Sequence, residues 1–166
     1  MAFEIERKFL VRNESWRAKT SGTIAIRQAY LATDGNASVR LRIRDNKDAT
    51  LSIKSRPATL RRLELEYPVP VLDAEAMIGL RHGAVIEKIR HLVPWGGLTF
   101  EVDVFAGANE GLVIAEIELR DERQEVTLPD WIGHEITGQP QYYNSALVLR
   151  PYKSWPQQPV LTDRSA

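Results

Sequence analysis

The chain has 166 residues, 27% of them charged and 43% apolar, with 22 basic and 22 acidic side chains and a formal net charge of zero. That length suits one domain with a core large enough to fold unaided, and the balanced charge excludes a blanket polyanion binder. The lack of cysteine excludes disulfide scaffolds, Cys-ligated zinc or iron–sulfur sites and thiol nucleophiles.

The N-terminal stretch MAFEIERKFLV has no basic leader and no long apolar run, and no later stretch approaches about 18 apolar residues. Neither a signal peptide nor a membrane helix is predicted, and the expected compartment is the cytoplasm. The sequons at Asn13 and Asn36 then carry no weight. Period-two alternation predicts strands over 3–12, 23–33, 38–45, 49–55, 61–69, 85–94, 98–105 and 113–121. Asp34-Gly35-Asn36, Asp45 to Asp48 and Trp95-Gly96-Gly97 suit hairpin turns. Short helices are predicted over 13–19, capped by Asn13, and over 73–80, capped by Asp73. Beyond Pro129 a helix is predicted from Asp130 through Trp131, Ile132 and Ile136, then another over 143–149, ended by Pro151. Residues 1–150 are read as one domain, and 151–166, with prolines at 156 and 159, as an extended tail.

The non-apolar face of these strands is almost wholly ionised. It carries Glu4, Glu6 and Lys8, then Arg40, Arg42 and Arg44, then Lys54, then Arg62, Glu64 and Glu66. Lys88 and Arg90, Glu101 and Asp103, and Glu116 and Glu118 follow. Carboxylates two apart on a strand lie ~7 Å from each other and repel by ~2.5 kcal/mol at an effective dielectric of 20. Four such pairs demand compensation. On one strand the pattern suits a solvated face, where exposed ion pairs contribute ~0–1 kcal/mol each. Repeated over seven strands it suits a mainly β fold: a closed eight-stranded antiparallel barrel with a charged lumen and helices packed outside and at one mouth. Hard carboxylates suit Mg²⁺ or Mn²⁺, and fixed Arg and Lys suit phosphate oxygens. Both in one cavity fit a metal-bound polyphosphate.

The order of these motifs resembles the CYTH superfamily of triphosphate tunnel metalloenzymes, in its short bacterial form. The matching segments are Glu4-Ile-Glu6-Arg-Lys8, Arg40-Leu-Arg42, Leu51-Ser-Ile-Lys54, Glu64-Leu-Glu66 and Lys88-Ile-Arg90. Glu101-Val-Asp103-Val-Phe105, Glu116-Ile-Glu118, and Trp131 to Thr137 with Tyr142-Tyr-Asn144 complete the series. The resemblance spans about residues 3–150 and implies a tunnel that hydrolyses triphosphates with a divalent metal. It implies metal ligation by Glu4, Glu6, Asp103, Glu116 and Glu118, and triphosphate binding by Lys8, Arg40, Arg42, Lys54, Lys88 and Arg90. Glu64 and Glu66 either hold a second metal or orient the basic residues. Arg44, Arg62 and Glu101 fit the same face as supporting groups. Tyr30 resembles a tyrosine paired with the motif lysine, so Lys8 and Tyr30 form a candidate catalytic pair or proton relay, with a barrel-wall tyrosine as the alternative.

The function expected first is metal-dependent hydrolysis of inorganic triphosphate to pyrophosphate and phosphate. Thiamine or nucleoside triphosphates, a class IV-type adenylyl cyclase and a non-catalytic polyphosphate binder are the alternatives. The expected partner is a small triphosphate, with no nucleic acid and no membrane; a homodimer is left open. His82, His91 and His134 lack paired metal spacing and read as structural or surface residues. No phosphate-binding P-loop or nucleophile elbow is present. The four tryptophans read as packing residues.

Overall fold

The computed structural model describes residues 2–55, 61–121 and 123–156; of Ala2–Glu4, Arg61 and Arg62 it describes the backbone only. Among the described residues nine strands form one antiparallel sheet: β1 (Ala2–Val11), β2 (Gly22–Thr33), β3 (Ala37–Arg44), β4 (Asp48–Ser55), β5 (Arg61–Val69), β6 (His82–Trp95), β7 (Leu98–Ala106), β8 (Val113–Glu118) and β9 (Ile132–Glu135). Two α-helices, α1 (Val71–Ile78) and α2 (Asn144–Leu147), and four single 3-10 turns complete the described chain.

The strand order is β5-β4-β3-β2-β6-β7-β8-β1-β9. The first half of β1, Ala2–Ile5, pairs with Arg61–Glu64 of β5, while Glu6–Leu10 pairs with β8. The sheet thus curls into a tunnel whose seam is paired at four positions. This differs from the closed eight-stranded barrel expected: a ninth strand is present, and β9 takes the β1 edge further along, opposite Phe9 and Val11. The segment after Asp130 was expected to be helical. It forms β9 because both flanks are tied to β1, Arg12 N–H donating to Trp131 O at 2.8 Å and Ile136 N–H to Lys8 O at 2.9 Å. Gly133 permits that approach, since a Cβ there would sit 2.9 Å from Leu10 O.

The hairpin turns match the sequence. Asp45 and Asn46 adopt φ of 49° and 54°, and Gly96 and Gly97 adopt 56° and 79°. These values suit the turns whose twist matches paired strands. Residues 15–19 form a 3-10 turn, with Asn13 Oδ1 accepting from Ser15 N–H at 3.0 Å. The helix after Pro70 begins at Val71, with no side-chain cap.

Directly opposed residues on paired strands share a face, and the apolar residues accordingly divide into three clusters. One lies outside the tunnel, where Phe9, Val93, Phe100, Val102 and Ile117 are covered by Trp16, Leu119 and Trp131. The second, Leu41, Ile43 and Ala49, is covered by α1 through Ala74. The third shares the lumen face: Tyr30, Ile86, Phe105 and Ile114 meet Leu147 of α2 and Val148 just after it at one end of the tunnel. Gly83, at φ 71°, lets Val148 O approach within 2.3 Å of where a Cβ would stand. Covering is incomplete, and Leu65 and Tyr67 on the outer face of β5 remain exposed. The described start of the expected tail, residues 151–156, packs back on the domain rather than extending from it. Tyr152 N–H donates to Asn109 Oδ1 at 2.8 Å, and Trp155 packs edge-on against Tyr142 and Tyr152. The remainder of the tail, 157–166, lies outside the described residues.

Candidate active site

Strand alternation turns the ionised face inward. Lys8, Arg40, Lys54, Lys88, Arg90 and Asp103 are all buried, which ion pairing makes tolerable. Two ion-pair groups organise them. On β3, β4 and β5, Arg40 Nη2 lies 3.1 Å from Glu64 Oε1 and 3.7 Å from Glu66 Oε1. Ser52 Oγ bridges the same groups, 3.3 Å from Arg40 Nη2 and donating to Glu66 Oε1 at 2.9 Å. Lys54 Nζ lies 3.0 Å from Glu64 Oε2. On β1, β6, β7 and β8, Arg90 donates from Nε to Asp103 Oδ1 at 2.7 Å and from Nη2 to Asp103 Oδ2 at 2.8 Å. Lys88 also pairs with Asp103, and Arg90 with Glu101. Arg90 Nη2 reaches Glu116 Oε2 at 3.1 Å, and Lys8 Nζ takes Glu116 Oε1 at 2.5 Å and Glu6 Oε1 at 3.2 Å.

The compensation that the paired carboxylates demand therefore comes from cations on neighbouring strands. The titration behaviour follows. Burial alone would raise the Glu116 carboxyl, but Lys8, Arg90 and Lys88 hold it well below the usual carboxylate range. Lys88 and Arg90 likewise overcome burial at Asp103 and lower it. At Glu101 burial prevails over Arg90 and the carboxyl is raised. Burial, with help from Arg90 and Arg42, pushes the Lys88 ammonium down to about 8 despite Asp103. Arg42 is pushed down to about 10 by burial and by the like charges of Arg40 and Arg90. Burial also opposes the charge of Arg90, yet Asp103, Glu116 and Glu101 raise it.

A cavity of about 660 Å³ opens at the end of the tunnel carrying Lys8, Tyr30, Arg40 and Lys54, with Ser38, Tyr143 and Asn144 on its rim. Four predicted residues thus share one open space. Glu116 and Arg90 join it through the Lys8–Glu116–Arg90 chain of contacts, and Lys88 through Asp103, which it shares with Arg90.

The expected metal ligands divide. Glu6 and Glu118 face each other across β1 and β8 on the lumen side, and such hard oxygen donors suit Mg²⁺ or Mn²⁺. The Glu4 side chain lies outside the described residues, though its backbone shares that face, opposite Arg62. Asp103 is 0% exposed with both oxygens engaged by cations. In this arrangement it anchors Lys88 and Arg90. Both oxygens of Glu116 are engaged as well. No three His, Asp or Glu side chains are gathered for a metal among the described residues. Of the supporting groups, Glu101 pairs with Arg90, whereas half-exposed Arg44 pairs with Asp48 across a hairpin turn at 2.6 Å. The Arg62 side chain lies outside the described residues.

Two lumen residues escaped the sequence reading, Ser52 and Gln28, buried at 0% and 1% exposure. Only register could have found them: Ser52 opposes Arg40 and Glu66, and Gln28 opposes Arg42. The histidines match expectation where described contacts exist, His91 packing edge-on against Trp16 at 4.9 Å.

The CYTH domain model matches residues 2–152. An inorganic triphosphatase from Acetivibrio thermocellus is 45% identical over 156 residues, 93% of this chain and 99% of that protein. One from Nitrosomonas europaea is 35% identical over 150 residues, covering 88% and 97%. The crystal structure of an inorganic triphosphatase superposes with a TM-score of 0.65 at 33% identity, covering 90% of this chain and 96% of the other. A putative adenylyl cyclase from Hippeastrum, at 17% identity and a TM-score of 0.56, covers 71% and 80% and shares the fold.

Proposed function

Because this chain belongs to the CYTH domain family, we propose that it hydrolyses inorganic triphosphate to pyrophosphate and phosphate with a divalent cation. The observation that carries this reading is the convergence of Lys8, Arg40 and Lys54 on one open cavity, backed by Lys88 and Arg90. Each cation is already held by a carboxylate, so little reorganisation is needed when phosphate oxygens arrive, and such preorganisation is the larger part of electrostatic catalysis.

Phosphoryl transfer asks a protein for alignment and charge neutralisation more than for covalent chemistry. Lys54 and Arg40, fixed by Glu64, Glu66 and Ser52, hold one end of the phosphate chain. Lys8, Lys88 and Arg90 hold the other and neutralise charge on the leaving pyrophosphate. Glu64 and Glu66 serve here to orient the basic residues. Glu6 and Glu118, with Glu4, would hold the cation, Mg²⁺ or Mn²⁺. When bound, such an ion supplies Lewis-acid polarisation of phosphoryl oxygens. Tyr30, which lines the same cavity as Lys8, would accept or relay the proton of the attacking water.

The test is phosphate release from tripolyphosphate with Mg²⁺ or Mn²⁺, run beside ATP and thiamine triphosphate with all products resolved. Metal-dependent release of one phosphate per tripolyphosphate is expected. Equal turnover in excess chelator, or cyclic nucleotide as the main product from ATP, would overturn the reading.

A further inference from the structure

We propose that Gln28 contacts the substrate, its side-chain amide donating to a phosphoryl oxygen of the triphosphate beside Arg42. The proposal rests on the triphosphatase reading above. Gln28 stands in the middle of β2, opposite Arg42 on β3 and Ile86 on β6, with Ile26 and Tyr30 two residues away on the same lumen face. It is 1% exposed, and neither Oε1 nor Nε2 has a hydrogen-bond partner among the described residues. Buried side-chain amides nearly always find partners, because an unpaired polar group forfeits its hydration for nothing. Methionine would fill the same space without that cost, so packing alone does not account for an amide here.

Arg42 carries the second, independent observation. Lys8, Arg40, Lys54, Lys88 and Arg90 each have a carboxylate within ion-pair distance. Arg42 has none among the described residues, and its Nε is buried without an acceptor. Burial and the like charges of Arg40 and Arg90 lower its proton affinity, outweighing the more distant carboxylates of Asp103 and Glu116. This ring of the tunnel therefore holds a surplus of donors: one guanidinium with no carboxylate at ion-pair distance among the described residues and, directly across from it, one unpaired amide. The group that satisfies both is an anion with several acceptor oxygens. A divalent cation is disfavoured beside Arg42. With Nε2 donating to a phosphoryl oxygen, Oε1 can accept from the Arg42 guanidinium, so a charged and a neutral donor close on the same phosphoryl group. Unlike Lys88, the neutral donor does not titrate.

The experiment uses Gln28→Met and the isosteric Gln28→Glu, with three readouts. These are the melting temperature without ligand, the melting-temperature rise caused by tripolyphosphate in excess chelator, and steady-state kinetics with Mg²⁺. The Met variant is expected to melt no lower than wild type, to lose most of the tripolyphosphate-induced rise, and to show KM raised about tenfold, the worth of one hydrogen bond to an anion. The Glu variant replaces a donor by a negative charge, and its KM should rise further. It carries the test alone if the Met variant fails to fold. Wild-type KM and wild-type ligand-induced rise in the folded variants would overturn the proposal, as would a Met variant that melts lower with unaltered KM. A wild-type protein that neither binds nor cleaves tripolyphosphate would overturn the triphosphatase reading together with this one, whereas a normal wild type with unaltered variants overturns only the role of Gln28.

Discussion

Glu116 and Glu118 are two residues apart on one face, yet their surroundings assign them different work. Glu116 is clasped by Lys8 and Arg90, so Glu116→Gln removes a charge from between two cations. We expect a stability loss of about 1–3 kcal/mol by urea unfolding, the range for disrupting a buried charge-assisted hydrogen bond. This reverses what carboxylate repulsion alone would suggest, namely that neutralising either residue stabilises the protein. Glu118, exposed and opposite Glu6, should respond differently. Glu118→Gln should leave stability within about 0.5 kcal/mol of wild type, as exposed substitutions do, while the Mg²⁺ concentration for half-maximal activity rises. The acid limb separates the two again. Glu116 titrates below its unfolded value near 4.5, so the folded state binds fewer protons there. Its stabilisation is complete above that pH and is lost as pH falls through the depressed value. Circular dichroism from pH 5 downward should show a shallower acid transition in Glu116→Gln than in wild type.

Among elements, the strands were legible because one-face ionisation and period-two alternation reinforce each other, and a misregister by one residue would bury every charge among apolar groups. The tunnel wall motifs on β3, β5, β6, β7 and β8 are contiguous in sequence for the same reason. β9 was not legible: four residues, Ile132–Glu135, are too short for a period to declare itself, and its partner lies more than a hundred residues upstream. Asp103 reads from sequence as a metal ligand, and only the register shows that Arg90 stands opposite it and Lys88 beside it, engaging both its oxygens. Gln28 was passed over because a neutral residue among charges attracts no notice until its register with Arg42 is known. Gly133 offers a test of β9 as an element. Alanine there meets Leu10 O, a backbone atom that cannot swing aside. Gly133→Ala should cost about 1–3 kcal/mol, as overpacking does, and should raise hydrogen exchange at Arg12 and Ile136, whose amides close the β1–β9 pairing.

At the scale of the whole molecule, the lumen holds its cations in readiness at an electrostatic cost that pH can expose. With the Lys88 ammonium pushed down to about 8, raising pH through that value discharges one phosphate-binding group while the guanidinium of Arg90 stays charged. KM for tripolyphosphate should climb from about pH 8 upward. Lys88→Arg, whose charge does not titrate in this range, should lack that limb even if its overall affinity is lower. A KM independent of pH from 7 to 9 in the wild type would remove Lys88 from the binding set.

The seam described above also sets a clock. β1 precedes every other strand in the chain, yet its pairing partners are Arg61–Glu64, Ile114–Glu118 and the strand at Ile132–Glu135. Long-range pairings of this kind close late, after the intervening chain has collapsed around them. Glu6 and Lys8 must therefore wait until β8 has left the ribosome, long after β5 has arrived opposite Glu4. A nascent chain halted anywhere before β8 holds the whole basic wall of β3 and β6 and none of the Glu116 side that faces Lys8. The catalytic tunnel is in this sense assembled only when β1 meets β8 and β9, strands made more than a hundred residues after it.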